Sequence, residues 1–216
     1  MKKLFLFFLM VLLLCGCSLF EDSNDMEKTV DELVSEGSSA FVAEDYKTAV
    51  KAYTDLKDWY PFSKYAILAE LKIADAHYHL EAYDEAIIAY EEFEKMHPKN
   101  EAVPYVIYQT GLCWFNQIGT IDRDYTPAIN SLIQFYRLTE QYPGSEYAQK
   151  AAENIQACRD NLSGHELYVA NFYFKTEQYK AALKRYEYIV EHYPESKESK
   201  EALNKIPQCR ELANKT

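Results

Sequence analysis

One sequence pattern occurs four times and decides the fold: EDYKTAVKAYTDLKDWYP (44–61), EAYDEAIIAYEEFEKMHP (81–98), RDYTPAINSLIQFYRLTEQYP (123–143) and EQYKAALKRYEYIVEHYP (177–194). Each copy has a tyrosine, an alanine three positions later, an apolar stripe at helical spacing and a terminal proline. Proline ends each helix because it lacks the backbone donor and clashes with the preceding turn. The pattern is that of the second helix of a tetratricopeptide repeat, a unit of about 34 residues. We therefore predict an all-α, right-handed helical solenoid of about four to five helix pairs.

The repeats are unevenly spaced. The alanines that recur in the four copies, at positions 49, 86, 128 and 182, lie 37, 42 and 54 residues apart. The alanine-to-proline interval is 12 residues in three copies and 15 in the third, which predicts about one extra helical turn there. Gly37 and Gly111 occupy the first-helix position where two helices approach closely. We expect Gly164 to weaken a long helix and Pro207 to kink the last one. The predicted helices are 27–43, 46–59, 63–80, 83–96, 101–117, 125–141, 145–176, 179–192 and 197–213.

The N-terminus has the features of a lipoprotein signal peptide. Two lysines precede an apolar run, Leu4 to Leu14, that is too short to cross a bilayer. The sequence Leu14-Cys15-Gly16-Cys17 has the order of a bacterial lipobox, so cleavage would leave Cys17 as the acylated first residue. An ordinary secretory signal with a fortuitous cysteine is the alternative. Ser18 follows the cysteine, where an aspartate would signal retention at the inner membrane. We therefore expect a lipid anchor at the periplasmic face of the outer membrane.

This organisation divides the chain into three parts. Residues 1–16 form the signal peptide, and 17–27 form an acylated tether. Residues 28–216 form a single solenoid domain, with repeats near 30–63, 67–100, 104–143 and 145–196 and a terminal helix at 197–213. Three cysteines, Cys113, Cys158 and Cys209, fall in segments with helical periodicity, where free cysteine commonly packs as a small apolar residue. A Cys158–Cys209 disulfide is the alternative.

The composition and motifs argue for a binding protein. The chain has 34 acidic and 23 basic residues, a balance that disfavours nucleic acid as a partner. Motifs for a catalytic nucleophile, a phosphate loop or a zinc site are missing from the sequence. His77 and His79 are two residues apart, so on a helix they point in nearly opposite directions and cannot chelate one ion. We expect no catalytic residues, no metal and no cofactor.

Two segments, MHPKNEAVPYVIYQTGLCWF (96–115) and HELYVANFYFKTEQYKAALKRYEYIVEHYP (165–194), together with the lipobox and the repeats, resemble the BamD family. This is the family of outer-membrane protein assembly lipoproteins of Gram-negative bacteria. The resemblance implies a noncatalytic scaffold of the β-barrel assembly machine that works with other assembly-machine lipoproteins. It would bind the POTRA domains of a BamA-like barrel subunit and unfolded outer-membrane proteins. The alternative function is that of another outer-membrane repeat lipoprotein, either pilotin-like or a cell-division and envelope scaffold.

The resemblance also implies two sets of binding residues. Arg185 stands where the AAxxR motif of the family places an arginine near the barrel-subunit contact; a solvated charge on an outward helix face is the alternative. The N-terminal half resembles a peptide-binding groove, and its aromatic character suits a segment that ends in an aromatic residue. This differs from repeat proteins that clamp acidic C-termini with Lys, Arg and Asn. Core packing is the alternative for Phe41 and Tyr78. The groove candidates are Val34, Ser38, Phe41, Val42, Leu71, Asp75, Tyr78, His79, Tyr105, Tyr108 and Leu112.

Overall fold

The structure is a computed structural model that describes residues 28–215. The predicted signal peptide, the lipobox with Cys17, and the tether lie outside the described residues. Nine helices and no strands are found within 28–215, which confirms the all-α repeat architecture. The helices are α1 (Val30–Val42), α2 (Tyr46–Trp59), α3 (Ala66–His79), α4 (Tyr83–Met96), α5 (Val103–Asn116), α6 (Thr126–Gln141), α7 (Glu146–Lys175), α8 (Tyr179–His192) and α9 (Lys197–Ala213).

The helices stack in chain order, and each of the four core clusters is shared by three successive helices. The second helix of each repeat, namely α2, α4, α6 or α8, lies between the first helix of its own repeat and the next helix along the chain. Tyr90 on α4 and Tyr186 on α8 are fully buried in such clusters. Each repeat therefore buries its apolar face only against its neighbours, as in other solenoids.

Local signals in the sequence explain where the helices begin and turn. Thr29 and Glu32 form a reciprocal capping box at the start of α1. Three-residue turns join the two helices of the first, second and fourth repeats, and the middle residue of each turn is a glutamate with positive φ. These residues are Glu44 (59°), Glu81 (58°) and Glu177 (60°). The third repeat has a nine-residue connection instead, 117–125, between α5 and α6.

Close helix contacts explain the glycines. A Cβ atom added to Gly37 would lie 2.8 Å from the Tyr53 ring, and one added to Gly111 would lie 2.5 Å from the Phe135 ring. Gly164 does not interrupt its helix, because α7 is continuous over 30 residues. A Cβ there would lie 3.0 Å from the Ile121 side chain, so this glycine makes room for the connection between α5 and α6.

The sequence predictions for the remaining irregular features have definite outcomes. Helix α6 has 16 residues, whereas α2, α4 and α8 have 14, because its extra turn is partly offset by a later start near Pro127. Helix α9 continues through Pro207. Cys113, Cys158 and Cys209 are buried in helices as free thiols, so the alternative disulfide between Cys158 and Cys209 is not formed.

Candidate functional site: an aromatic track on the first helices

Aromatic side chains from four helices form two groups, which together we call the aromatic track: Phe41 on α1 with Tyr78 and His79 on α3, and Tyr105 and Tyr108 on α5 with Tyr147 on α7. The His79 ring centroid lies 5.6 Å from that of Phe41 and 5.7 Å from that of Tyr78. The Tyr147 centroid lies 5.4 Å from that of Tyr105 and 5.7 Å from that of Tyr108. The Asn116 amide on α5 donates to the Tyr78 hydroxyl at 3.1 Å. The first helices of successive repeats therefore present two aromatic groups, and the hydrogen bond between Asn116 and Tyr78 ties α3 to α5 between them.

The candidates Phe41, Tyr78, Tyr105 and Tyr108 are each half-buried, so each contributes to packing and retains an accessible edge. Phe41 also packs against the first core cluster, and Tyr78 and Tyr105 pack against the second. The buried part of each ring packs in the core, and the exposed part is the surface on which the groove prediction depends.

The other groove candidates have different surroundings. Val34 and Leu71 are half-buried against the first and second core clusters. Leu112 packs against the third cluster. Ser38 is exposed, and its hydroxyl donates to the Ser35 carbonyl oxygen at 3.2 Å. Val42 is 84% exposed at the end of α1.

Asp75 differs from its predicted position, since it lies beneath the track with only 5% of its surface exposed. Its Oδ1 atom accepts hydrogen bonds from the hydroxyls of Tyr90 at 2.8 Å and Tyr105 at 2.7 Å. Its Oδ2 atom accepts one from Lys72 Nζ at 2.9 Å. Burial, together with the Asp75 charge, raises the pKa of Tyr90 and Tyr105 above the ordinary tyrosine value, so both hydroxyls stay protonated and donate. Asp75 is therefore the centre of a satisfied interior network that joins α3, α4 and α5.

Sequence reasoning missed the two lysines that lie over track aromatics. Lys72 Nζ is 4.7 Å from the Phe41 ring centroid, and Lys150 Nζ is 5.0 Å from that of Tyr147. Lys150 also forms an ion pair of 3.0 Å with Glu146. The three-residue spacing of Lys72 and Asp75 on one helix was a readable signal for the first pair. Both contacts are cation–π interactions in which a carboxylate also accompanies the lysine.

Arg185 on α8 forms the second candidate surface. Its Nη1 atom donates to both oxygens of Glu166 on α7, at 3.0 and 2.7 Å. The Arg185 side chain is 44% exposed, whereas that of Glu166 is 12% exposed. The hydrogen bond to Glu166 raises the pKa of the guanidinium further above its already high value. The arginine is thus held in one orientation while much of its surface remains accessible.

Exposed aromatic residues lie on α7 and on the connection that covers it. Tyr168 and Phe172 on α7 are 49% and 55% exposed. The connection between α5 and α6 is fixed to the middle of α7 by His165 Nδ1, which lies 2.8 Å from the Ile121 carbonyl oxygen. The Tyr125 ring packs on His165 with centroids 4.5 Å apart. This half of the chain therefore exposes apolar surface of its own.

The described residues lack a reactive thiol and a cluster of metal-binding side chains. The three described cysteines are buried, and burial raises the pKa of the Cys113 thiol to about 12, which suppresses the reactive thiolate. Between residues 28 and 215, His, Cys, Asp and Glu side chains do not assemble in groups of three or more that could hold a metal ion. Over the same range, none of the helices combines the length and the apolar character needed to cross a membrane.

Comparison with known proteins identifies the family. A family model described as YfiO, outer membrane lipoprotein, matches residues 26–213, a range that contains all nine helices. The chain belongs to the YfiO outer membrane lipoprotein family. The resemblance to BamD proteins seen in the sequence is thereby confirmed.

Several relatives of this YfiO-family chain carry the name outer membrane protein assembly factor BamD. The chain is 28% identical to the protein of Caulobacter vibrioides over 85% of its own length and 60% of that relative. It is 27% identical to the protein of Rickettsia prowazekii, with coverage of 90% and 78%. It is 30% identical to that of Neisseria meningitidis serogroup A, with coverage of 81% and 69%. The chain thus spans 60% of the length of its Caulobacter relative.

Proposed function

We propose that this chain is a noncatalytic lipoprotein scaffold of the complex that assembles β-barrel proteins in the outer membrane. One observation carries the proposal: the match to the YfiO family extends over the whole helical array, and the relatives named above are outer membrane protein assembly factors. In this proposal an acyl chain on Cys17 holds the protein at the periplasmic face of the outer membrane. The solenoid then receives other chains on its surface, as repeat arrays commonly do.

The aromatic track supports a role in holding unfolded outer-membrane proteins. Half-buried rings on α1, α3, α5 and α7 offer ring faces and edges to an extended segment with aromatic side chains. Aromatic pairs contribute about 0.5–1.5 kcal/mol beyond the area that they bury. Several such contacts in a row give a site that favours aromatic residues and tolerates variation in the rest of the segment.

The Arg185 surface supports a second contact, with the POTRA domains of a BamA-like barrel subunit. Glu166 occupies Nη1 of Arg185, and the guanidinium has further donors in its planar fork that can reach an acidic partner residue. An arginine that is already oriented loses little side-chain entropy on binding. Other assembly-machine lipoproteins would attach to the same scaffold.

Photocrosslinking in cells tests the partner proposal. A photoreactive amino acid replaces Arg185 in the membrane-anchored chain, and the crosslinked proteins are identified by mass spectrometry. We expect the crosslinked protein to be the POTRA-containing barrel subunit. The matched control places the same group at Ile88, which is 58% exposed on α4, and should give no adduct with that subunit. Recovery of only peptidoglycan-binding or pilus proteins from position 185 would reject the proposal.

Peptide binding tests the track. A fluorescent peptide that ends in an aromatic residue is titrated with the purified chain, and anisotropy gives the dissociation constant. Replacement of Tyr78 or Tyr108 by alanine should weaken binding about 2- to 10-fold each, which corresponds to the loss of one aromatic contact. The control is Phe62→Ala, because Phe62 is a fully exposed aromatic residue outside the track. Equal affinity for all three variants would show that the peptide binds elsewhere.

A further inference from the structure

The ion pair between Lys72 and Asp75 at the aromatic track affects which ligands the track can select. Lys72 is the lysine that lies over Phe41, and its side chain is 32% exposed. Its ammonium group is 2.9 Å from Oδ2 of Asp75, so the negative charge lies directly beside the positive one. A ligand carboxylate that is not in direct contact with Lys72 would meet both charges at similar distances, because the two are only 2.9 Å apart. The attraction and the repulsion would therefore largely cancel.

The carboxylate of Asp75 cannot move away to release the lysine. The Asp75 side chain is 6% exposed, and its other oxygen accepts two tyrosine hydroxyls from α4 and α5. A buried carboxylate with these partners is fixed in place, and separating it from its cation would leave a buried charge without compensation. At the other end of the track, Glu146 accompanies Lys150 in the same way, although both side chains there are more than half exposed.

The last repeat has the equivalent of the Tyr90 contact, without the charge. Tyr186 on α8 donates to Oδ1 of Asn171 on α7 at 2.7 Å. The two pairs, Tyr90 with Asp75 and Tyr186 with Asn171, have the same separation of 15 residues. An asparagine is therefore accommodated at the equivalent position of another repeat, and a negative charge is not needed for this tyrosine contact.

We propose that Asp75 determines the ligand specificity of the aromatic track by cancelling the charge of Lys72. The track then selects a peptide for its aromatic side chains and is indifferent to a terminal carboxylate. This inference depends on the proposed binding of outer-membrane protein segments to the track. In this proposal Asp75 does not touch the ligand, and it acts on ligand binding only through the charge of Lys72.

Two peptides that differ only in their last group test the inference. They share one sequence ending in an aromatic residue, and one ends in a free carboxylate and the other in an amide. Each is titrated with the full chain in detergent micelles, and fluorescence anisotropy gives the dissociation constant. We expect the two constants to agree within about 2-fold for the unaltered chain. A preference of 5-fold or more for the free acid would overturn the inference.

The variant Asp75→Asn exposes the lysine charge and should create a preference for the free acid of about 5-fold or more. The double variant Asp75→Asn with Lys72→Met should lose that preference again, which assigns the effect to Lys72. Thermal melting checks that each variant is folded, and the comparison of the two peptides on the unaltered chain is independent of every variant. A folded Asp75→Asn chain that still binds both peptides equally would overturn the inference. Failure of both peptides to bind the unaltered chain would instead refute the proposed peptide-binding function.

Discussion

Replacing Gly111 with alanine should destabilise the fold, although the same change in an exposed helix would stabilise it. The new Cβ atom would lie 2.5 Å from Cε1 and 2.8 Å from Cδ1 of Phe135. Phe135 is fully buried on α6 and its ring packs against Tyr108, so it has little room to retreat. Overpacking of this kind costs about 1–3 kcal/mol, and larger shifts cost more.

The opposing gain is the higher helix propensity of alanine, which is about 1 kcal/mol. With a steric contact this short, we take the upper part of the overpacking range and expect a net loss of about 1–2 kcal/mol in the free energy of unfolding. For a urea m-value of about 2–3 kcal/mol/M, the midpoint should fall by roughly 0.5 M.

Urea titration followed by far-UV circular dichroism measures this change on the purified chain. The control is Gly144→Ala, because no heavy atom lies within 4 Å of the Cβ that would be added there. That control should stay within about 0.5 kcal/mol of the unaltered chain. A Gly111→Ala midpoint equal to or above that of the unaltered chain would show that α5 and α6 separate at no cost, and the close-approach argument would then fail.

Four further predictions follow from particular residues. Glu81→Gly should raise the free energy of unfolding by roughly 0.5–1 kcal/mol in the same urea assay, because Glu81 has a φ of 58° that glycine adopts without strain; a lower midpoint would contradict this. Tyr90→Phe should lower the free energy of unfolding by about 1–2 kcal/mol, because the buried Asp75 carboxylate loses one of its hydrogen-bond donors. Unchanged stability would show that the hydroxyl is dispensable. Cys113 should react with iodoacetamide at pH 8.5 at least about 100-fold more slowly than free cysteine. Its raised pKa keeps the thiol protonated until the pH approaches 12. Rapid labelling without denaturant would refute its burial. Cys17→Ala should leave a folded chain in the soluble periplasmic fraction, and its retention in membranes at high salt would argue against the acyl anchor.

The bounds of the helices could be predicted closely from the sequence because helix-ending prolines and helix-packing alanines recur at fixed positions in the repeats. Alanine marks the helix contact and proline follows each second helix, so α2, α4 and α8 begin and end at the predicted residues. Helix α9 also has its predicted bounds, 197–213, although it lies outside this pattern. The predicted helices 101–117 and 125–141 leave a gap that corresponds to the connection between α5 and α6, but they do not predict its position on α7. That contact depends on Ile121 and His165, which are 44 residues apart and share no periodic pattern.

The site was predicted less completely than the helices. Periodicity places Phe41, Tyr78, Tyr105 and Tyr108 on first helices. The structure brings Phe41 and Tyr78 against His79, and Tyr105 and Tyr108 against Tyr147. The same periodicity placed Asp75 among them, but its depth depends on two hydroxyls from other helices, which no helical spacing reveals. The predicted helix 145–176 contains Tyr147, but the uneven repeat spacing does not reveal its alignment with the track.

The continuous helix α7 has a mechanical consequence. Tyr147 lies in its first turn and Glu166, which holds Arg185, lies 19 residues further along the same rod. At a rise of 1.5 Å per residue, these points are separated by roughly 28 Å. An uninterrupted helix supported on both sides resists bending over that span, so the two proposed sites keep a constant reach and orientation. A segment bound at one end of α7 would therefore stay at a fixed distance from a partner bound at the other end.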